Sequence, residues 1–184
     1  MKKDTKVVVM AEIAIMGAIG FLLDFVSFGF AWLQGGSISL MMLPIFIMAF
    51  RRGLKAGLAT GLIVGLLNLS FGAYIVHPAQ AILDYPLAFF VVGFAGLFFV
   101  SKERSVKHRI SMIVLGVFLG TLLRFAAHFA SGVIWIDVFA PDEANAYLYS
   151  FVYNITYILP SFIVCLIVMI LLTNANKRII HAEG

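Results

Sequence analysis

Long runs of apolar residues with short polar breaks dominate the chain, and they predict a bundle of membrane-spanning helices. A span needs about 20 mostly apolar residues, and six such stretches, the second of them short, follow one another along the sequence. We predict helices over residues 7–30, 37–50, 54–74, 79–100, 110–136 and 146–173. The breaks contain Gly, Pro or clustered charge, which end helices. The expected fold is therefore all-α, a single transmembrane domain over residues 1–184 with six helices.

The positions of Lys and Arg give this bundle an expected direction. Twelve of the thirteen flank apolar runs at the start of the first helix, in the second and fourth breaks and after the last helix: Lys2, Lys3, Lys6, Arg51, Arg52, Lys55, Lys102, Arg104, Lys107, Arg109, Lys177 and Arg178. The breaks at 31–36, 75–78 and 137–145 contain none. The positive-inside rule therefore places both termini in the cytoplasm. The N-terminal segment resembles a signal peptide but has no convincing cleavage site, so we expect it to remain as the first helix.

Composition excludes several classes of protein. Hydrophobic residues make up 62% of the chain and charged residues 12%, about half the charged share of a soluble domain, so lipid must be the solvent for much of the surface. The net charge of +4 is spread over helix ends and forms no nucleic-acid-binding patch. The single Cys165 allows no intrachain disulfide and no thiolate metal cluster. No GxxxxGK[ST] loop is present, so ATP hydrolysis would need another protein.

Two patterns of small residues predict close helix packing. The third helix carries glycines at four-residue spacing, Gly53, Gly57, Gly61 and Gly65. They form a ridge, and packing inside the bundle is favoured over a partner interface. The first helix has a milder version in Ala14 and Ala18, for which internal packing and a partner protein are both open.

Ionisable and amide side chains inside the apolar runs are the strongest functional signal, because burying them in a membrane is costly. They are Glu12, Asp24, Asp84, Arg124, His128, Asn68 and Asn154. Helical spacing places three polar sets on common faces, Gln80 with Asp84, then Arg124, His128, Ser131 and Trp135, then Tyr147, Ser150, Asn154 and Tyr157. These faces predict one pocket that opens on the outer side.

Two other interpretations of these polar residues remain open. They could be interhelical hydrogen bonds that only stabilise the bundle, each contributing about 0.6 kcal/mol, with Arg124 paired to Asp24 or Asp84. An intramembrane serine protease is disfavoured, because His128 and Ser131 lie three residues apart on one helix and a catalytic pair needs presentation from different elements.

Aromatic residues with polar edges favour the pocket. Every Trp and Tyr of the chain is expected in the outer half: Trp32, Tyr74, Tyr85, Trp135, Tyr147, Tyr149, Tyr153 and Tyr157. An ordinary aromatic belt decorates both membrane interfaces. A one-sided set beside a carboxylate, an imidazole and an amide suits a small aromatic cation.

As an ordered set, these features resemble the thiamine-specific substrate-binding (S) components of energy-coupling-factor transporters, the ThiT/YuaJ family. The resemblance covers essentially the whole chain. Its carrying segments are Ala11-Glu12-Ile13-Ala14-Ile15-Met16, Leu43-Pro44-Ile45, Phe50-Arg51-Arg52-Gly53-Leu54-Lys55-Ala56-Gly57-Leu58, Leu83-Asp84-Tyr85, Arg124-Phe125-Ala126-Ala127-His128-Phe129 with Gly132 and Trp135, and Tyr149-Ser150 with Asn154.

The resemblance implies a six-helix S-component fold in the plasma membrane of a prokaryote. It implies thiamine as the transported ligand, no cofactor, metal or catalytic residue, and docking onto a transmembrane coupling protein with two ATPase subunits. The small-residue motif of the family falls on Ala14 and Ala18. A related vitamin or thiamine precursor as ligand, or a membrane scaffold without transport activity, remain the alternatives.

The family's binding residues fall on Asp84, Tyr85, His128, Trp135, Tyr149 and Asn154, with Trp32 and Tyr74 as further positions. Asp84 stands where the family has Glu and is one methylene shorter. We expect Trp135 and His128 to stack on the ligand and Asp84 to supply negative charge. Asn154 and Tyr149 are expected to bond the pyrimidine edge, and the 31–37 loop to act as a lid.

Overall fold

Helices account for nearly all regular structure in the computed structural model, which describes residues 3–29, 36–71, 73–98, 105–139, 144–176 and 179–180. The helices are α1 (Lys3–Leu22), α2 (Met42–Arg52), α3 (Leu54–Phe71), α4 (Pro78–Ile82), α5 (Ala88–Val92), α6 (Val106–Ile134), α7 (Ile136–Phe139) and α8 (Ala146–Ala175). A π-helical turn, Leu83–Leu87, joins α4 to α5, and a 3-10 turn, Gly93–Phe98, continues α5. Residues Pro78–Phe98 thus form one rod, named here the composite helix. The predicted six-helix fold is confirmed, with the six as α1, α2, α3, the composite helix, α6 and α8.

Local sequence signals explain where several helices begin and end. The side chains of His77, Ser105 and Asn145 cap the starts of α4, α6 and α8 by accepting a hydrogen bond from a backbone N–H of the first turn. Pro78 occupies the first turn of α4, where its missing N–H costs nothing. Gly53 ends α2 with a φ of 84°, a left-handed conformation that glycine adopts easily.

The predicted bounds are wrong at the end of the first helix. α1 ends at Leu22, a 3-10 turn follows over Leu23–Val26, and the chain then enters a two-residue strand, β1 (Phe28–Gly29). β1 pairs antiparallel with β2 (Ser37–Ile38), where the second helix was expected to start. Apolar sequence alone does not separate a short strand from a helix end, so periodicity placed these residues in helices.

Within the described ranges, five of the six main helices are long and apolar enough to cross a membrane, and α2 is the exception. Its 11 residues rise only about 16 Å, roughly half of a bilayer core. α2 lies inside the bundle, and Phe46 and Phe50 are fully buried in its main core. Gly116 and Gly120 of α6 make room for these two rings. Because α2 is short, space remains beyond its N-terminal end.

The glycine ridge packs inside the bundle, against the composite helix. A Cβ on Gly57 would meet the carbonyl oxygen of Gly93 at 2.9 Å, and one on Gly65 would meet that of Tyr85 at 2.6 Å. Gly61 sits against the carbonyl of Phe89. A Cβ on Gly53 would meet nothing within 4 Å, and this glycine forms the turn between α2 and α3.

α1 packs through one face and leaves the other uncovered. Gly17 and Gly20 contact Ile63 and Val64 of α3. Only 11% of the most apolar window of α1 is buried, against 28–39% in the other candidate spans. Ala14 and Ala18 lie on the uncovered face.

The two ends of the bundle differ in chemistry. Arg51 and Arg52 of α2 bond Glu12 of α1 at one end, named here the basic end. Gly96 contacts Leu54 there, so the composite helix also ends at the basic end. The opposite end, named the cavity end, carries the β1–β2 pair and the polar residues described next.

Candidate functional site

A cavity of about 410 Å³ opens at the cavity end, beyond the short α2. Met41, the residue before α2, lies in its lining. The charged and polar lining residues include Asp24, Ser27, Ser37, Asn68, Tyr74, Gln80, Asp84, Tyr85, Arg124, His128, Ser131, Tyr149, Ser150, Tyr153, Asn154 and Tyr157. The three polar faces expected from helical spacing therefore meet around one space.

Asp84 of the π-helical turn is at the centre of the polar network. Gln80 Nε2 donates to Asp84 Oδ2 at 2.6 Å, and His128 Nδ1 lies 3.2 Å from Asp84 Oδ1. Arg124 Nε donates to His128 Nε2 at 3.4 Å. Because a guanidinium has only donors, His128 Nε2 must accept, and the proton of the neutral ring is assigned to Nδ1, which donates to Asp84.

Arg124 contacts Asp84 only indirectly, through His128. Arg124 is only 6% exposed, and its Cζ lies 4.5 Å from the centre of the Phe89 ring. Asp24 accepts instead from Asn68 Nδ2 at 3.1 Å. Among the described residues, the ion pair of Arg124 with Asp24 or Asp84, which belonged to the alternative structural interpretation, is not formed, because no Arg124–carboxylate contact lies within 4.0 Å.

An aromatic wall from α8 faces this network. Tyr149 and Tyr153 stack with ring centroids 6.2 Å apart, and Tyr153 meets Tyr157 edge-on at 5.8 Å. Tyr157 in turn meets the His128 ring edge-on at 6.1 Å. The three tyrosine rings therefore form a continuous aromatic surface that reaches from Tyr149 to His128.

Asn154 connects α8 to the network and to α6. Its Nδ2 donates to the carbonyl of Ser150 at 2.9 Å, and its Oδ1 accepts from Tyr157 at 2.7 Å. A longer bond of 3.4 Å reaches the carbonyl of His128. The Ser150 hydroxyl donates to the carbonyl of Phe129 on α6 at 2.8 Å. The amide is thus largely engaged, and within the described part of the chain one lone pair of Oδ1 is left for a ligand.

The segment before the composite helix closes one side of the cavity. Tyr74 N–H donates to Tyr85 Oη at 2.8 Å, and Gln80 Nε2 also lies 3.3 Å from the carbonyl of Tyr74. Tyr85 and Gln80 therefore tie this segment to the helix that carries Asp84.

Six of the eight sequence-predicted binding residues line the cavity: Asp84, Tyr85, His128, Tyr149, Asn154 and Tyr74. Trp135 is not in the lining, because it follows the last residue of α6 and stacks on His77 with centroids 5.3 Å apart. Trp32 and residues 31–35 of the 31–37 loop lie outside the described residues, while Gly36 and Ser37 line the cavity. Tyr147, expected on the pocket face of the last helix, is 67% exposed.

The structure adds residues that were not selected as binding residues from the sequence. Tyr153 completes the aromatic wall, and its four-residue spacing from Tyr149 and Tyr157 was a usable signal. Asp24 supplies a second carboxylate to the lining. Ser131 is 1% exposed, and its hydroxyl has no hydrogen-bond partner among the described residues, so it does not pair with His128.

Counted over the described residues, the formal charge of the lining is −1. Asp24 and Asp84 contribute −2, Arg124 contributes +1, and His128 is neutral in the assigned tautomer. A cavity walled by tyrosine rings with one uncompensated negative charge favours a planar monocation.

The chain is similar to known proteins over its whole length. The family model described as thiamine transporter protein (Thia_YuaJ) matches residues 10–181. The chain is 42% identical over 190 residues to thiamine transporter ThiT of Bacillus subtilis (strain 168), covering 100% of this chain and 99% of that protein. It is 29% identical over 194 residues to a ThiT of Lacticaseibacillus paracasei, covering 100% and 96%.

Two solved structures share the fold. ThiT from Listeria monocytogenes superposes with a TM-score of 0.87 at 30% identity, covering 96% of this chain and 99% of that one. The S component of a bacterial ECF transporter gives a TM-score of 0.61 at 20% identity over 94% and 99% of the two chains, a likeness of fold alone. This multi-pass membrane protein therefore has the S-component fold and belongs to the Thia_YuaJ family of thiamine transporter proteins.

Proposed function

We propose that this protein is the thiamine-binding S component of an energy-coupling-factor importer and that it captures thiamine in the cavity. The observation that carries the proposal is the cavity itself. Aromatic rings, the Asp84 carboxylate and a net formal charge of −1 come together there in a chain that matches a thiamine transporter from end to end. Its volume of about 410 Å³ is within the range of small-molecule sites, about 300–1,000 Å³.

Recognition follows from the two halves of thiamine, a positively charged thiazolium and a flat aminopyrimidine. The tyrosine rings of α8 offer their π-faces to both, and the negative lining offsets the thiazolium charge. Asp84 keeps lone pairs that can accept from the pyrimidine amino group. The free lone pair of Asn154 and the hydroxyl of Ser131 are further groups that a bound ligand can satisfy. Stacking by Trp135 or Trp32 stays a prediction.

The orientation of the bundle follows from its basic end. One groove at that end is lined by Glu12, Arg51, Asn176 and Ile179. The N-terminal part of α1 and the C-terminal end of α8 therefore lie at the basic end. The positive-inside rule directs Arg51, Arg52 and their basic neighbours to the cytoplasm. Both termini are then cytoplasmic, and the cavity faces the outside, where thiamine is captured.

Thiamine titration of the purified protein tests the proposed ligand. Thiamine should quench or shift the tryptophan fluorescence of the detergent-solubilised protein, and it should co-purify with the protein. The isolated aminopyrimidine and thiazole alcohol precursors should bind at least about a hundredfold more weakly, since each makes only part of the contacts. Equal affinity for a precursor, or tight binding of another vitamin in place of thiamine, would reassign the ligand. Absence of any ligand would favour a scaffold role.

Import requires a second event, because nothing in this sequence matches an ATP-binding loop. We propose that the uncovered face of α1, with Ala14 and Ala18, docks onto a transmembrane coupling protein that carries two ATPase subunits. Small side chains let two helix backbones approach closely in a membrane. The exposure of both alanines supports this placement, while Gly17 and Gly20 serve the contact with α3.

Substitution of Ala14 or Ala18 by Trp separates docking from capture. We expect thiamine affinity to stay unchanged and cellular thiamine uptake to fall at least about tenfold, because the indole blocks close helix approach. The control is Leu171→Trp, an exposed large residue of α8 that lies outside the proposed docking face. Full uptake by both alanine variants would remove the docking proposal and leave the ligand proposal standing.

A further inference from the structure

The acid of the cavity is carried by an irregular stretch of helix. Asp84 and Tyr85 belong to the π-helical turn Leu83–Leu87, between the regular helices α4 and α5. Pro86 lies inside this turn. A proline has no N–H to donate to the carbonyl four residues earlier, and its ring clashes with that carbonyl in a regular α-helix. A widened π turn avoids the clash, and such turns often occur at functional sites.

The same turn is held from behind by the glycine ridge of α3. A Cβ on Gly65 would lie 2.6 Å from the carbonyl oxygen of Tyr85 and 2.6 Å from Pro86 Cα. The backbone of the π turn therefore rests directly on the backbone of α3, and no side chain at 65 could be accommodated without moving it.

The front of the turn is held by directional hydrogen bonds. Gln80 and His128 each bond one oxygen of Asp84, at 2.6 and 3.2 Å. Tyr85 Oη is fixed by the Tyr74 N–H. These bonds tolerate only small displacements, since hydrogen bonds weaken quickly with distance and angle. A shift of the π turn away from α3 would disturb the hydrogen bonds of Asp84 and of Tyr85.

We propose that Gly65 and Pro86 are positioning residues for Asp84. Pro86 forces the wide turn, and Gly65 sets how deeply that turn sits, so that together they set the distance from the Asp84 carboxylate to Gln80, His128 and the cavity. Neither residue needs to touch the ligand. The inference deepens the proposed function, since the consequence for thiamine rests on thiamine being the ligand.

A ligand-free measurement tests the positioning role directly. The Nδ1 signal of His128 in 15N-histidine-labelled protein reports its hydrogen bond to Asp84, and His128→Gln identifies this signal among those of the four histidines. We expect Gly65→Ala and Pro86→Ala to shift the signal. The matched control is Gly57→Ala on the same ridge, which contacts Ala49 and Gly93 far from Asp84 and should leave the signal in place.

Thiamine affinity then measures what a displaced Asp84 costs in ligand binding. Gly65→Ala should weaken thiamine binding about tenfold, because small misplacements of a binding group are costly, while Gly57→Ala stays within about twofold. In an Asp84→Ala background the effect of Gly65→Ala should disappear, since groups acting through one contact are not additive. Pro86→Ala should unfold at higher temperature yet bind more weakly, a combination that a purely structural role does not produce.

The possible failures are distinct. An unchanged His128 signal in both Gly65→Ala and Pro86→Ala overturns the positioning role, even if stability changes. Should Gly65→Ala not fold, Pro86→Ala decides alone. If the two variants shift the His128 signal but the wild-type protein does not bind thiamine, the positioning role is supported and the proposed ligand is removed.

Discussion

Two clusters of partly buried charge lie at opposite ends of the bundle and are built differently. At the basic end, Glu12 bonds Arg52 directly at 2.6 and 2.9 Å and Arg51 at 3.3 Å. At the cavity end, Asp84 reaches Arg124 only through the neutral ring of His128. The first carboxylate is neutralised by its own cations, whereas the second keeps negative charge facing a cavity.

The difference shows what makes a buried charge functional rather than structural. Both clusters offset the cost of placing charge away from water. The Glu12 cluster does so by joining α1 to α2 with strong charge-assisted bonds. The Asp84 cluster leaves a formal charge of −1 around an open space, so part of the compensation can come from a bound cation.

Among substitutions that test the difference between the two clusters, Asp84→Ala should have the largest effect on thiamine binding. Loss of the carboxylate removes the main negative charge beside the aromatic wall and leaves Gln80 and His128 without their acceptor. We expect thiamine affinity to fall about a hundredfold, or roughly 3 kcal/mol, as for other charged hydrogen bonds. Fluorescence or calorimetric titration measures it. Glu12→Ala is the control and should bind like wild type; comparable losses in both variants would contradict the division between the clusters.

A smaller loss is expected for Asn154→Ala. Its amide accepts from Tyr157 and bonds Ser150 and His128, so truncation leaves buried groups without partners and loosens α8 from α6. We expect about tenfold weaker thiamine binding and a loss of stability of about 1–3 kcal/mol. The control is Thr173→Val, which removes a buried hydroxyl of the same helix bonded to Met169 far from the cavity. Wild-type affinity in Asn154→Ala and in Asp84→Ala would eliminate the assigned site.

The smallest effect is expected for Glu12→Gln at the basic end. The amide keeps a hydrogen bond to Arg52 but loses the charge, and the pair is partly solvated, with 23% and 13% of the two side chains exposed. Stability should therefore drop by about 1 kcal/mol or less, seen as a lower midpoint of thermal unfolding in detergent that is sensitive to salt. Thiamine affinity should not change, and a reduced affinity would show that the two ends are coupled.

Much of the site was predictable because helical spacing is local information. Gln80 with Asp84 and Arg124 with His128 lie four residues apart, so each pair had to share a face of its helix. Their meeting in one cavity followed from the topology, since all were expected near the same end. Trp135 shows the limit, because it lies one residue past the end of α6, where the helix no longer sets its direction and its ring stacks on His77.

The sequence by itself determined the helices, the basic end and the set of polar residues, because apolar length, charge at helix ends and four-residue spacing all act within one segment. Only the tertiary structure decided that α2 is buried inside the bundle, that the glycine ridge contacts the composite helix, and that His128 stands between Arg124 and Asp84. These are contacts between segments distant in sequence, set by packing and hydrogen-bond geometry that no single helix specifies.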